Sequence, residues 1–197
     1  MKTRSVIIAV ILTGMPLVIL SGCATSHVSQ PIHAVAKGGD IETVKNLLRH
    51  GTRPNTRDGQ GWTLLHHAAY NGKPEVARVL LDVGAKTHLK DRQGFTPLHW
   101  AVYESAGNPG SAETAKLLVA RGADVNARDM EGSTPLFWTM WQGDSKMVLF
   151  LLDHGADPNL TGKEGLTVLA SAQKHEMHEM AALISGHMNR SGHHPAY

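Results

Sequence analysis

Gly94-Phe95-Thr96-Pro97-Leu98-His99 decides how this chain is read, because close copies of it recur in phase. Gly61-Trp62-Thr63-Leu64-Leu65-His66 stands 33 residues earlier, Gly132-Ser133-Thr134-Pro135-Leu136-Phe137 stands 38 later, and Gly165-Leu166-Thr167-Val168-Leu169 a further 33 on. One step of 33 back from the first copy reaches Pro31-Ile32-His33, a worn version of the same signal. A second motif keeps the phase: Leu47-Leu48-Arg49-His50-Gly51, Leu80-Leu81-Asp82-Val83-Gly84, Leu118-Val119-Ala120-Arg121-Gly122 and Leu151-Leu152-Asp153-His154-Gly155. Self-similarity at such a period marks stacked units, each burying its apolar face only against its neighbours.

Signals inside the units agree on helix pairs. Val44, Leu47 and Leu48 share one face of a helix predicted over residues 41–50. Gly51, Gly84, Gly122 and Gly155 each follow a second helix, where a residue in the left-handed region meets no steric penalty if it lacks a Cβ. His50 and His154 precede two of these glycines, a place that suits a cationic or hydrogen-bonding side chain. Pro74 sits at the first turn of a second helix, where no N–H is needed.

A 33-residue period carrying Thr-Pro-Leu-His resembles the ankyrin-repeat family, and the resemblance covers about residues 31–186. It implies an all-α ankyrin-repeat solenoid of about five helix-turn-helix units with short β-hairpin or turn connections. The units are placed at about 31–57, 58–90, 91–128, 129–161 and 162–186. The first has lost the Gly-x-Thr start, as a terminal repeat facing solvent does. The third is five residues longer between its helices, around Ser105-Ala106-Gly107-Asn108-Pro109, a composition that reads as a loop. That insert is either a partner-specific element or a tolerated ornament. The fourth departs from the family pattern by carrying Phe137 where the histidine belongs. In the last, Met177, Met180, Leu183 and Ile184 alternate with polar residues, as in a cap with one wet face, and residues 187–197 read as a flexible tail.

Ahead of the repeats, Lys2 and Arg4 precede an apolar run over residues 6–20 that is broken by Gly14 and Pro16. This is the charged and apolar pattern of a secretory signal peptide, placed at residues 1–22, and it is too short and broken for a comfortable membrane span. Leu20-Ser21-Gly22-Cys23 resembles a bacterial lipobox, which implies cleavage before Cys23 and lipid on its sulfur and new amine. Several acyl chains anchor stably where one is marginal. Ala24 after the cysteine implies, by the sorting rule of enterobacterial lipoproteins, the outer membrane with the domain facing the periplasm. Polar residues 23–30 then form a tether.

Composition narrows the function. Without Lys2 and Arg4, 17 basic side chains face 17 acidic ones, leaving no electrostatic footprint for nucleic acid. A single cysteine forms no intramolecular disulfide. No G-x-S-x-G, H-E-x-x-H or phosphate-cradling glycine loop is present, so no catalytic residues are assigned and the chain reads as a non-enzyme without a cofactor. Of 13 histidines, His33, His66 and His99 fall where family histidines brace the turn entering the first helix. His175 and His178 share a helix face and His187, His193 and His194 follow, but no carboxylate or thiolate shell at defined spacing completes a metal site.

The aromatic residues carry the functional expectation. Trp62 and Phe95 follow the repeat glycine, His67, Trp100 and Trp138 share a variable position of the first helix, and Tyr70, Tyr103 and Trp141 fall near its end. By the resemblance these are concave-face positions that meet a protein partner, and they collect all four tryptophans of a chain that is only 5% aromatic. Such rings dominate interface hot spots, though some can instead fill the layer between adjacent first helices. Arg92, Gln93, Met130, Glu131, Lys163 and Glu164 at the hairpin tips form the expected polar rim. The expectation is a lipid-anchored module holding one protein, as an immunity or protective protein does. The alternative is a small-molecule or metal carrier using the aromatic groove and the His-rich tail.

Overall fold

The computed structural model describes residues 30–191. The expected signal peptide, the lipobox-like segment with Cys23 and the expected tether up to residue 29 lie outside the described residues, as do 192–197 of the expected tail.

The described chain forms ten α-helices in five consecutive pairs: α1 Gln30–Gly38 with α2 Ile41–Arg49, α3 Leu64–Tyr70 with α4 Pro74–Asp82, α5 Pro97–Tyr103 with α6 Pro109–Ala120, α7 Pro135–Gln142 with α8 Ser145–Asp153, and α9 Val168–Lys174 with α10 His178–Ser191. Local chemistry sets their ends. Proline stands in the first turn of α4, α5, α6 and α7, where its missing N–H has no intrahelical role. Asp40 and Asp144 accept from the Thr43 and Met147 amides at 3.1 and 3.0 Å, capping α2 and α8. At the other end, Gly84 and Gly122 take φ of +87° and +80°. The chain then turns so that the Ala85 and Ala123 amides reach back to the Leu80 and Leu118 carbonyls at 2.9 Å.

First helices stack on first helices: α3 packs on α1 and α5, and α7 on α5 and α9. The second helices form an outer row, and the core lies between the rows. Val44, Leu80, Leu98, Leu118, Leu136, Met140, Leu151 and Ile184 are fully buried there. Short hairpin turns link the units, two of them closed by isolated antiparallel bridges at Arg57–Thr63 and Thr161–Thr167. Neighbouring hairpins are tied by Arg92 N–H to Gln60 O at 3.2 Å and Met130 N–H to Gln93 O at 3.0 Å. Among the described residues no helix is long and apolar enough to cross a membrane.

Two boundaries differ from expectation. α10 continues through His187 to Ser191, so the predicted tail begins inside a helix whose Met188 is buried against the core. The third-unit insert is only partly a loop. The connection between its helices spans residues 104–108, against 71–73 in the second unit, and α6 has 12 residues where α4 has 9. Pro109, read as a loop former, starts the lengthened helix, which Asn108 caps by accepting the Gly110 amide at 3.0 Å. The insert is also wedged in place. A Cβ on Gly110 would lie 2.3 Å from the Gly72 carbonyl oxygen, and the buried Ser105 hydroxyl donates to Asp144 Oδ2 at 2.7 Å. It thus leans on the unit before and bonds the unit after, leaving an open cleft of about 660 Å³ between α6 and α8.

Candidate partner-binding face

Each of the three central hairpins is built around an aspartate. Asp58 Oδ1 accepts the Gln60 and Trp62 amides at 2.8 and 2.9 Å, Asp91 Oδ1 those of Gln93 and Phe95 at 2.8 and 2.9 Å, and Asp129 Oδ1 those of Glu131 and Ser133, both at 2.9 Å. The second oxygen of each takes a ring nitrogen from the first helix: His67 Nε2 at 2.8 Å, Trp100 Nε1 at 2.8 Å and Trp138 Nε1 at 2.9 Å. One carboxylate therefore shapes the turn and fixes the ring beside it. Burial pushes the Asp58 carboxyl up, but bonds from His67 and the two amides outweigh it and hold the carboxyl below its ordinary value. At Asp129 burial wins over the bonds from Trp138 and the backbone, and the carboxyl sits above its ordinary value.

The fixed rings touch one another across the units. Trp62 meets Trp100 with centroids 4.6 Å apart, Trp100 meets Phe95 at 4.9 Å, and Phe95 meets Trp138 at 5.1 Å. Tyr70 packs edge-on to Trp100 at 5.5 Å and Tyr103 to Trp138 at 5.7 Å. Edge-to-face contacts of this length are favoured by the ring quadrupoles. His67 joins the ladder at one end, 4.9 Å from Trp62, while Trp141 lies apart and meets His175 at 4.6 Å.

This ladder corrects the expectation of an outward stripe in two places. Phe95 and Trp100 are 9% and 2% exposed. Rings of the neighbouring units close over them, so they fill the layer between first helices. Trp62, His67, Tyr70, Tyr103, Trp138 and Trp141 are half-buried, each keeping an edge at the surface. Arg92, Gln93, Met130, Glu131, Lys163 and Glu164 are all exposed, with Met130 at 77%, and Lys163 pairs with Glu131 at 2.6 Å.

His66 and His99 are buried braces. The Thr63 amide donates to His66 Nδ1 at 3.0 Å and the Thr96 amide to His99 Nδ1 at 3.2 Å. With Nδ1 accepting, each Nε2 carries the proton and donates to a carbonyl of the next unit, Phe95 O at 3.0 Å and Ser133 O at 3.4 Å. Burial lowers both imidazoles to about 4, so both are neutral at neutral pH.

Sequence reasoning used Asp58, Asp91 and Asp129 only as unit boundaries. Their signal was available: each stands three residues before a repeat glycine and nine before the ring it holds. A second juxtaposition was not legible. His33, assigned to a turn, and His67, assigned to the face, come together with Asp58, one ligating atom from each lying within 4.8 Å of the other two.

Helix pairs, phased hairpins and histidine braces between units agree with the comparison to known families. The model for ankyrin repeats (3 copies) matches residues 32–129 and again 105–191, and the chain belongs to the ankyrin-repeat family.

Proposed function

We propose that this protein is a lipid-anchored module of the bacterial cell envelope that holds one partner protein against its aromatic ladder. Ankyrin repeats generally mediate protein–protein interaction and are typically not enzymes, which supplies the general class. The observation that carries the specific face is the run of half-buried rings, Trp62, Tyr70, Tyr103 and Trp138, beside an exposed rim that includes Met130. Rigid rings with one free edge add contact area at little entropic cost, and an exposed methionine at a turn tip adds an adaptable apolar contact. Leu20-Ser21-Gly22-Cys23 supports lipidation at Cys23 and a periplasm-facing place at the outer membrane, where an immunity or protective role suits a tethered binder.

The test is partner capture from envelope extracts with the full chain, beside Tyr103→Ala/Met130→Asp. Both changes lie on the face and leave the buried rings Phe95 and Trp100 in place. One protein held by wild type and lost by the variant, at an unchanged melting midpoint, supports the reading. The same proteins held by both overturn it. Membrane association lost in Cys23→Ser supports the anchor, and a variant that still sediments with outer membranes removes it.

A further inference from the structure

We propose that the junction of the first two repeats is a divalent-metal site, with His33, Asp58 and His67 as ligands and Zn²⁺ as the cation the donor set suits. The reasoning starts from a repeat position. In the third and fourth units an indole N–H donates to the hairpin aspartate, Trp100 to Asp91 and Trp138 to Asp129. An indole has no lone pair to offer a metal. In the second unit the same place holds an imidazole, His67, on Asp58 at 2.8 Å. The unit before presents His33, whose ring meets His67 edge-on with centroids 5.3 Å apart. Only here among the described residues do three such groups converge, within 4.8 Å of one another.

The surroundings hold the ligands in place. Asp58 Oδ1 is fixed by the Gln60 and Trp62 amides, which aims Oδ2 at His67. Secondary bonds of this kind orient metal ligands. Trp62 flanks His67 at 4.9 Å and restricts its ring. Two imidazoles and a carboxylate suit Zn²⁺ and leave an open position for water, unlike a closed structural site. With bonds of about 2 Å the donors stand roughly 3.3 Å apart at tetrahedral angles, so the three atoms draw together on binding. Coordination replaces the His67–Asp58 hydrogen bond. For the ion to bind, His67 Nε2 gives up its proton while Nδ1 keeps or takes one, so that a neutral imidazole offers its Nε2 lone pair. None of its three ligands comes from the His-rich C-terminal segment.

The full chain in mild detergent, stripped with EDTA, is titrated with Zn²⁺ by calorimetry and with Co²⁺ by visible absorption. The variants are His67→Trp, which restores the ring the next two repeats carry, Asp58→Asn, which keeps an acceptor for the turn amides, and the tail change His193→Ala/His194→Ala. Wild type and the tail variant are expected to bind one equivalent with a tetrahedral Co²⁺ spectrum. His67→Trp and Asp58→Asn should each weaken Zn²⁺ by about tenfold or more and lose the rise in melting midpoint that Zn²⁺ gives wild type. Unchanged affinity in both, or loss in the tail variant alone, overturns the site.

Discussion

The turns of the second and third repeats and the turn of the fourth solve one problem with different chemistry. His66 and His99 each accept their own threonine amide and donate to a carbonyl of the following unit. In the fourth repeat Phe137 occupies the equivalent place and lies against Gly162, where a Cβ would stand 3.1 Å from the ring. The fifth repeat also lacks the hairpin aspartate, since Gly162 falls at the position of Asp91 and Asp129. The backbone path is kept in both cases. The first device is polar and titratable, while the second depends on shape alone, so the two halves of the solenoid should fail under different stresses.

Acid should break the histidine-braced half first. Both imidazoles are lowered to about 4, so the fold holds them neutral while the unfolded chain takes up protons below about 6.5. Their contribution is full above pH 6.5 and lost as pH falls toward 4, with a slope of up to about 1.4 kcal/mol per pH unit for each histidine. For the pair this amounts to several kcal/mol across the window. Denaturant unfolding followed from pH 7 to 4 should show the slope. His66→Phe/His99→Phe should flatten it while lowering stability at pH 7. A stability that is level over this range would contradict the neutral braces.

The core beneath should not distinguish the halves. Leu118 in the third repeat and Leu151 in the fourth are equivalent and both 0% exposed. Either Leu→Ala change should cost about 2–5 kcal/mol. Thermal melting checks this, and an unchanged midpoint for Leu118→Ala would refute the helix register.

A smaller effect is expected at the ring–carboxylate bonds. Trp138→Phe keeps most of the ring contact with Phe95 and removes the donor to Asp129 Oδ2, so about 1 kcal/mol should be lost at neutral pH. Asp129 already sits above its ordinary carboxyl value because of burial, and losing its donor should raise it further. The midpoint of its titration by carboxyl NMR is the direct measure. No upward movement would mean that the bond contributes little.

How far the sequence could be read follows the same division. Period, glycine-ended helices and proline-opened helices were legible because each rests on neighbours in the chain: Gly84 and Gly122 have positive φ where expected, and Pro74 opens α4. Burial at unit junctions was not. Trp100 and Phe95 meet each other within the third unit, and their cover is completed by Trp62 and Tyr70 of the unit before and Trp138 of the unit after. Pro109-Gly110 carries loop composition, yet proline in a first turn is equally a helix start, and the packing of Gly110 on Gly72 decides the matter. His33 and His67 are 34 residues apart and were assigned to different roles. Nothing short of the stacked structure brings them together beside one aspartate.

The smallest stability effect belongs to the hairpin tips, and it separates binding from folding. Gly59, Arg92, Met130 and Lys163 share the tip position that follows the hairpin aspartate or its equivalent. Met130 is the one apolar side chain of the four, and it is 77% exposed. An exposed thioether contributes little to the folded state, so Met130→Ser should shift stability by less than about 0.5 kcal/mol. The exposed Lys163–Glu131 pair beside it is screened by solvent, and Lys163→Ala should leave the melting midpoint where it is. If the ladder and rim bind a partner, Met130→Ser should weaken capture at constant stability, because the methionine's apolar surface has no structural use in the free chain. If capture is instead insensitive to Met130 and follows the melting midpoint across all these variants, binding depends on the integrity of the stack, and the face lies elsewhere on it.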